Sequence, residues 1–187
     1  MSFRALVVPE DPTNDRYILK PLVEALLADV GKPRAKIEVL ANPRIQGYEH
    51  AKRLLLERLL EQYSHRDLLL FLPDSDLRDR SAEFEHLERE ASERGARLLC
   101  CAAIPEVEVW LLAGHADRLG MSWSEARSSV RLKELVFEPF LDSHGDPRRA
   151  GGGRDILMKT TLQNLPALYS RCTELQDLRS KLEAVVQ

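Results

Sequence analysis

Four short apolar runs in the first 115 residues predict β-strands. They cover residues 3–8, 36–40, 68–72 and 97–104. The third run, Leu-Leu-Leu-Phe-Leu, is uniformly apolar and too short for a helix, which is typical of a central strand in a parallel sheet. Pro9 ends the first run, because proline has no backbone N–H to donate to a neighbouring strand.

Segments with helical periodicity lie between these runs. Apolar residues recur at three-and-four spacing over residues 14–30, before Gly31, and again over about residues 47–63. We expect Ser81 to cap a third helix, whose charged residues form a solvated face. Because strands and helices alternate, we predict that residues 2–115 form an α/β domain. It has a parallel four-stranded sheet with helices on both faces.

The pattern becomes helical after residue 115. Capping-box sequences begin at Ser122 and Thr173, and leucines follow the second of these at helical spacing. The most loop-like stretch lies between them, at residues 142–159, which include three consecutive glycines. We predict that residues 116–187 form an α-helical extension packed on the α/β domain.

Composition places the chain among ordinary folded proteins. It has 44% hydrophobic and 30% charged residues, with a net charge of −3. The apolar runs fall far short of the roughly 20 residues that span a bilayer, and residues 1–12 do not resemble a secretory leader. Two of the three cysteines, Cys100 and Cys101, are neighbours in an apolar run, which favours buried reduced thiols. We therefore expect a cytoplasmic protein with no membrane partner.

Acidic residues follow three of the four predicted strands. They are Glu10 and Asp11, Asp74 and Asp76, and Glu106 and Glu108. If the first and third strands are neighbours, these side chains converge on the carboxyl edge of the sheet, where open α/β sheets bind ligands. Such a cluster is repulsive unless a hard cation lies within it, and oxygen ligands favour Mg²⁺. Single acidic residues such as Asp15, Asp79 or Glu106 have a simpler explanation, because carboxylates stabilise helix N-termini.

The order of these acidic residues resembles the Toprim fold. Glu10 follows the first strand, Asp74-x-Asp76 follows the third, and the segment Ile-Pro-Glu-Val-Glu-Val-Trp at residues 104–110 begins the next helix. This arrangement is similar to small stand-alone Toprim-like proteins and to overcoming-lysogenization-defect nucleases. The resemblance implies Mg²⁺- or Mn²⁺-dependent cleavage or transfer of phosphodiesters. It implies that Glu10 is the general acid or base. It further implies that four residues are both catalytic and metal-binding: Glu10, Asp74, Asp76 and Glu108.

Four basic residues are predicted to contact nucleic acid, either DNA or RNA. They are Arg78, Lys133, Arg154 and Lys159. Arg154 is the foremost candidate, because it follows three glycines that permit close approach of the backbone to a phosphate chain. The alternative is that residues 145–159 form only a solvated loop.

Other families with similar acidic patterns fit less well. A response-regulator receiver needs a Ser or Thr after the fourth strand and a Lys after a fifth, and a haloacid-type phosphatase carries Asp-x-Asp after its first strand. Two hypotheses remain. The first is a metal-dependent nuclease. The second is a Toprim-like interaction or regulatory subunit with little or no catalysis, such as a subunit of a phage-defence system, with a protein partner or as a homodimer.

Overall fold

The sheet is parallel, as the alternating pattern predicts. The computed structural model describes residues 2–186. The strands are β1 (Arg4–Val8), β2 (Lys36–Val39), β3 (Leu68–Phe71) and β4 (Leu98–Cys100), and their order is β2-β1-β3-β4. The predicted α/β class is thus confirmed, and β1 and β3 are neighbours with Val8 paired to Phe71.

Helices cover both faces of the sheet. They are α1 (Arg16–Asp29), α2 (Tyr48–Leu54), a π-helical turn (Leu55–Leu59), α3 (Leu60–Gln62) and α4 (Ser81–Glu93). Alternate residues of β1 point to opposite faces. Ala5 and Val7 belong to the core that contains α1, whereas Leu6 and Val8 belong to the core that contains α2 and α4. Burial on both faces explains why the strand sequences are continuously apolar.

The rest of the chain is helical and packs on the α1 face. Its elements are α5 (Glu108–Leu112), a 3-10 turn (Ala113–Arg118), α6 (Trp123–Ser128), a π-helical turn (Lys133–Phe137), α7 (Glu138–His144), a 3-10 turn (Ala150–Gly153), α8 (Arg154–Leu162), α9 (Leu165–Arg171) and α10 (Thr173–Val186). Trp110 and Leu182 lie in the same core as β1. The predicted extension therefore shares a core with the sheet, and its last residue, Gln187, lies outside the described residues.

Close backbone contact joins α8 to the 3-10 turn after α5. A Cβ atom on Gly114 would lie 2.4 Å from Cα of Thr161, so only glycine fits there. The Thr161 hydroxyl donates a hydrogen bond to the carbonyl of Leu111 at 2.6 Å. None of the helices within residues 2–186 combines the length and the apolar character that a membrane crossing needs.

The stretch predicted as a loop at residues 142–159 is mostly helical. Gly151, Gly152 and Gly153 have φ values of 72°, 65° and 86°. These left-handed conformations are cheap only for glycine, and they turn the chain sharply before α8 begins at Arg154. A Cβ atom on Gly151 would lie 2.5 Å from the Tyr17 ring. The glycines thus provide a tight packed turn rather than a free loop.

Two local predictions differ from the structure. Ser81 does not cap α4 with its side chain; its backbone N–H donates to Asp79 Oδ1 at 2.9 Å. The fourth strand ends at Cys100 instead of continuing to residue 104, and Ala103 forms only an isolated parallel bridge with Asp74. That bridge nevertheless fixes Asp74 beside the segment that leads into α5.

Candidate functional site

Glu10 and Asp74 meet at the carboxyl edge of the sheet, although 64 positions separate them. The backbone N–H of Asp74 donates a hydrogen bond to Glu10 Oε2 at 3.2 Å. Asp74 Oδ1 in turn accepts a hydrogen bond from the backbone N–H of Val107 at 2.7 Å. The segments after β1, β3 and β4 are thereby connected. The prediction that Glu10 and Asp74 lie together is confirmed.

Two further carboxylates are buried in the same cluster. The side chain of Glu108 at the start of α5 is 3% exposed, and residue Asp15, just before α1, is 4% exposed. Asp15 lies at the N-terminus of α1, as the helix-end explanation expects, but its side chain makes no capping hydrogen bond. Its Oδ2 accepts a hydrogen bond from the backbone N–H of Asp11 at 3.1 Å. We refer to Glu10, Asp15, Asp74 and Glu108 as the carboxylate cluster.

Burial and mutual repulsion raise pKa values within the carboxylate cluster. Burial raises the pKa of Asp74 to about 8, and the charges of Glu108, Asp15 and Glu10 add to the effect. Burial likewise raises the pKa of Asp15 to about 7, with Glu108 as the next cause. The pKa of Glu10 is raised for the same principal reason, burial. At neutral pH Asp74 therefore retains a proton for much of the time, and positive charge at this position is favoured.

Lys133 supplies one positive charge to the carboxylate cluster. Its Nζ lies 3.1 Å from Glu108 Oε1, and its backbone N–H donates to Glu106 Oε2 at 2.8 Å. Burial opposes the charge on Lys133, but the carboxylates of Glu108, Asp15 and Asp11 outweigh it, so the pKa of Lys133 is raised. In this structure Lys133 is the counter-ion of Glu108, whereas the sequence predicts that it contacts nucleic acid.

Asp76 is oriented differently from Asp74. In an extended segment, the two aspartates of Asp-x-Asp would point to the same side. Instead Asp76 and Leu77 have φ values of 51° and 58°, so the backbone turns in the left-handed region. The Asp76 side chain is 55% exposed, and its Oδ2 lies 3.8 Å from Nη2 of Arg80. Its charge still raises the pKa of Glu10, which places it near the carboxylate cluster.

The chemistry of the carboxylate cluster can be compared with the needs of a metal ion. Within residues 2–186, no three Asp, Glu, His or Cys side chains are arranged to hold an ion. Mg²⁺, however, usually keeps several waters and binds one or two protein carboxylates together with substrate phosphates. Glu10 and Asp74 carry oxygen ligands of the kind that Mg²⁺ binds, Glu10 Oε2 contacts the backbone of Asp74, and a cation would relieve the repulsion that raises the pKa of Asp74. These residues therefore fit an Mg²⁺ site with two protein carboxylates rather than a complete protein cage.

The other predicted basic residues have varied surroundings. Arg78 is exposed two positions after Asp76, and Lys159 is exposed on α8. Arg154 is held within the helical extension: its guanidinium lies 5.2 Å from the centre of the Phe137 ring, and Nη1 donates to the carbonyl of Gly151 at 2.8 Å. The glycine segment before Arg154, which the sequence predicts to approach a phosphate chain, is instead the packed turn before α8.

His115 is not placed where its position in the sequence indicates. The sequence places it near the end of the Glu-x-Trp helix, where a phosphate contact is plausible. In the structure His115 is buried, and Nε2 donates to the carbonyl of Leu157 at 3.0 Å. Burial lowers its pKa. His115 therefore joins α8 to the turn after α5 and is not available to a phosphate.

One basic residue near the carboxylate cluster was missed by the sequence analysis. The Arg80 side chain is only 9% exposed, and its guanidinium carbon lies 3.5 Å from the centre of the Tyr48 ring. Its charge lowers the pKa of Glu10, opposing the effect of burial. Arg80 belongs to a run of charged residues that predicts a solvated helix face. Its position four residues after Asp76 is the one sequence feature that indicates a role at the site.

Comparisons of the chain with protein-family models, curated proteins and solved structures find no significant match. The resemblance to Toprim proteins therefore depends on residues alone. The order of Glu10, Asp74 and Glu108 along the chain is the order expected, and each follows the strand expected. The second aspartate of the motif, Asp76, differs from the pattern, because its backbone is not extended.

Proposed function

We propose that this chain is a divalent-metal-dependent phosphodiester-processing enzyme, a nuclease, that acts on nucleic acid. The observation that carries the proposal is the direct contact between Glu10 and the backbone of Asp74 at the carboxyl edge of a parallel sheet. The charges of buried Glu108 and Asp15 add to the repulsion at Asp74. A hard cation relieves the repulsion, and a phosphodiester brings its own oxygens to complete the coordination.

The chain's own residues have distinct roles in this proposal. Glu10 and Asp74 would hold Mg²⁺, and their orientations are fixed by the N–H groups of Asp74 and Val107. Bound Mg²⁺ would supply charge stabilisation at the phosphate and lower the pKa of a water molecule. Glu10 would also transfer protons, because burial raises its pKa above its ordinary value and so strengthens it as a base. Asp74 must lose its proton before it can act as a ligand.

A second candidate function is a non-catalytic interaction subunit. Lys133 favours it, because its ammonium group already neutralises Glu108 and contributes to the potential at Asp15. The exposure of Asp76 favours it as well, since the second aspartate of the motif faces Arg80. In this candidate the carboxylate cluster binds no metal, and Lys133 and bound protons neutralise part of its charge.

Cleavage assays separate the two candidates. Labelled single-stranded and duplex DNA and RNA would be incubated with the protein in Mg²⁺, in Mn²⁺ and in EDTA. We expect cleavage only with metal, and a loss of at least about 100-fold in Asp74→Asn and Glu10→Gln. The matched control is Asp142→Asn, which makes the same change at an exposed position of α7.

Two outcomes would contradict the nuclease proposal. One is cleavage by Asp74→Asn at the rate of the wild-type protein. The other is a folded wild-type protein that cleaves none of the substrates and shows no heat of Mg²⁺ binding by calorimetry. The second outcome would support the non-catalytic candidate.

A further inference from the structure

A groove beside the carboxylate cluster remains without a role in the proposed reaction. It has a volume of about 540 Å³ and lies between α4 and α10, at the end of β4. Its lining includes the apolar side chains of Phe84, Ile104 and Leu178, together with Arg78 and Arg80. The volume lies in the range of about 300 to 1,000 Å³ that is typical of small-molecule sites.

Arg80 connects this groove to the carboxylate cluster. It lines the groove, and its charge also acts on Glu10. The Nε atom of Arg80 is buried and has no hydrogen-bond partner within the described residues. The other two nitrogens of the guanidinium make only long contacts with carboxylates: Nη2 lies 3.8 Å from Asp76 Oδ2 and Nη1 lies 3.7 Å from Glu83 Oε2, beyond hydrogen-bond distance. A buried Nε–H without a hydrogen-bond partner costs stability unless a ligand accepts its hydrogen bond.

The backbone before Arg80 supports a binding role. Asp76 and Leu77 are consecutive non-glycine residues with positive φ, and such conformations persist only where the surroundings enforce them. Ser75 enforces this turn: its N–H donates to the carbonyl of Ala103, and its hydroxyl accepts from the N–H of Leu77. The turn places Arg78 and Arg80 at the groove, with Asp76 beside Arg80.

We propose that the groove is a nucleotide subsite, in which Arg80 binds a phosphate group and the apolar lining holds the attached base. This inference rests on the proposed function for its choice of ligand class. The Arg80 guanidinium is stacked on Tyr48, which fixes its plane, and it can donate two parallel hydrogen bonds to phosphate oxygens. The phosphate would exchange the long contacts with Asp76 and Glu83 for short ones.

The charges around the groove favour one nucleotide over a continuous strand. Exposed Glu85 and Asp177 also line it, and Lys181 is paired with Glu88 at 2.9 Å. These carboxylates would repel a phosphate backbone that ran along the groove. A single base that leaves the strand brings its phosphate only to the Arg80 end. The subsite therefore fits an unpaired nucleotide at an end or in a single strand, and duplex DNA fits poorly.

The experiment measures binding without cleavage. Fluorescence anisotropy in EDTA would follow a labelled single-stranded oligonucleotide, with the duplex of the same sequence and unlabelled nucleoside monophosphates as competitors. We expect Arg80→Ala to weaken single-strand binding by about tenfold or more, and Arg80→Lys to restore only part of it. Arg89→Ala removes the same charge from an exposed position of α4 outside the groove lining and is expected to bind normally. Ala102→Phe, which fills part of the groove with a larger side chain, should weaken single-strand binding in a protein that circular dichroism shows to be folded.

The outcomes test the nucleotide subsite independently of the proposed nuclease activity. Binding that depends on Arg80 without any metal-dependent cleavage would support the subsite and contradict the proposed function. Competition by monophosphates would show that a free nucleotide suffices, whereas binding of the labelled strand that monophosphates do not displace would assign the subsite to a strand. Equal affinities of Arg80→Lys, Ala102→Phe and the wild-type protein would overturn the subsite, as would a wild-type protein that binds none of these probes. If Arg80→Ala fails to fold, the other two variants decide.

Discussion

Two buried acidic regions of this protein are built in opposite ways. Glu174 on α10 is fully paired: its two oxygens accept from Nη1 and Nη2 of Arg127 at 2.7 and 2.8 Å, and Trp110 Nε1 donates to one of them at 3.0 Å. Asp74, in contrast, is surrounded by other carboxylates, and its pKa is raised to about 8. The first arrangement stabilises the fold. The second costs stability, which is typical of a site that has a function.

The largest expected effect is the loss of the paired arrangement. Glu174→Gln removes the charge that Arg127 and Trp110 surround, and it leaves the guanidinium without a carboxylate. We expect the free energy of unfolding to fall by about 2 to 3 kcal/mol. Urea denaturation would measure it, with Glu183→Gln, on the exposed part of α10, as the control with the same change. A loss no larger than that of the control would contradict the comparison.

Asp74→Asn is expected to have the opposite sign. The raised pKa means that folded Asp74 binds its proton more tightly than the unfolded chain does, so stability falls as pH rises from about 4 to about 8. The asparagine removes this dependence and can still accept the hydrogen bond from Val107. At about pH 8 the variant should be more stable than the wild-type protein by at least about 1 kcal/mol. The gain should shrink towards about pH 4, as denaturation at several pH values would show.

Lys133→Met tests whether Lys133 opposes a metal ion. The variant leaves Glu108 buried without its counter-ion, and we expect a loss of about 1 kcal/mol, because Lys133 itself is about one-third exposed. Added Mg²⁺ should then raise the melting temperature more in the variant than in the wild-type protein. An identical Mg²⁺ response in both proteins would show that Lys133 and the metal do not share the carboxylates. Lys159→Met on α8 is the matched control.

The sequence predicts the sheet well and the site only in part. Burial on both faces forces continuous apolar runs, so the four strands and their parallel arrangement could be inferred, as could the meeting of Glu10 with Asp74. The burial of Asp15 could not, because carboxylates at helix starts are common and only tertiary packing encloses this one. Arg80 was hidden within a run of charges for the same reason: its side chain is covered by Tyr48, a residue distant in sequence.

Local backbone conformation accounts for the remaining differences. Asp76 departs from an extended conformation because Ser75 ties the turn to the carbonyl groups of Ala103 and Pro105. Nothing in the Asp-x-Asp pattern indicates this turn. Three consecutive glycines before Arg154 are compatible with two structures, a mobile loop and a packed turn. The ring of Tyr17 against Gly151 decides for the packed turn.

The smallest expected effect concerns Arg154, for which sequence and structure suggest different roles. The sequence predicts that Arg154 contacts nucleic acid. If it does, Arg154→Ala would remove the contact and reduce the salt dependence of binding by roughly one phosphate. The structure commits the guanidinium to the Phe137 ring and the Gly151 carbonyl. We therefore expect Arg154→Ala to lower the free energy of unfolding by only about 0.5 to 1 kcal/mol and to leave the salt dependence unchanged. Oligonucleotide titrations at several salt concentrations would measure the slope, with Arg148→Ala, an exposed arginine of the same segment, as the control. A salt-dependence slope reduced by one phosphate, with unchanged stability, would show that Arg154 contacts nucleic acid. The nucleic-acid surface would then extend from the carboxylate edge of the sheet onto the helical extension.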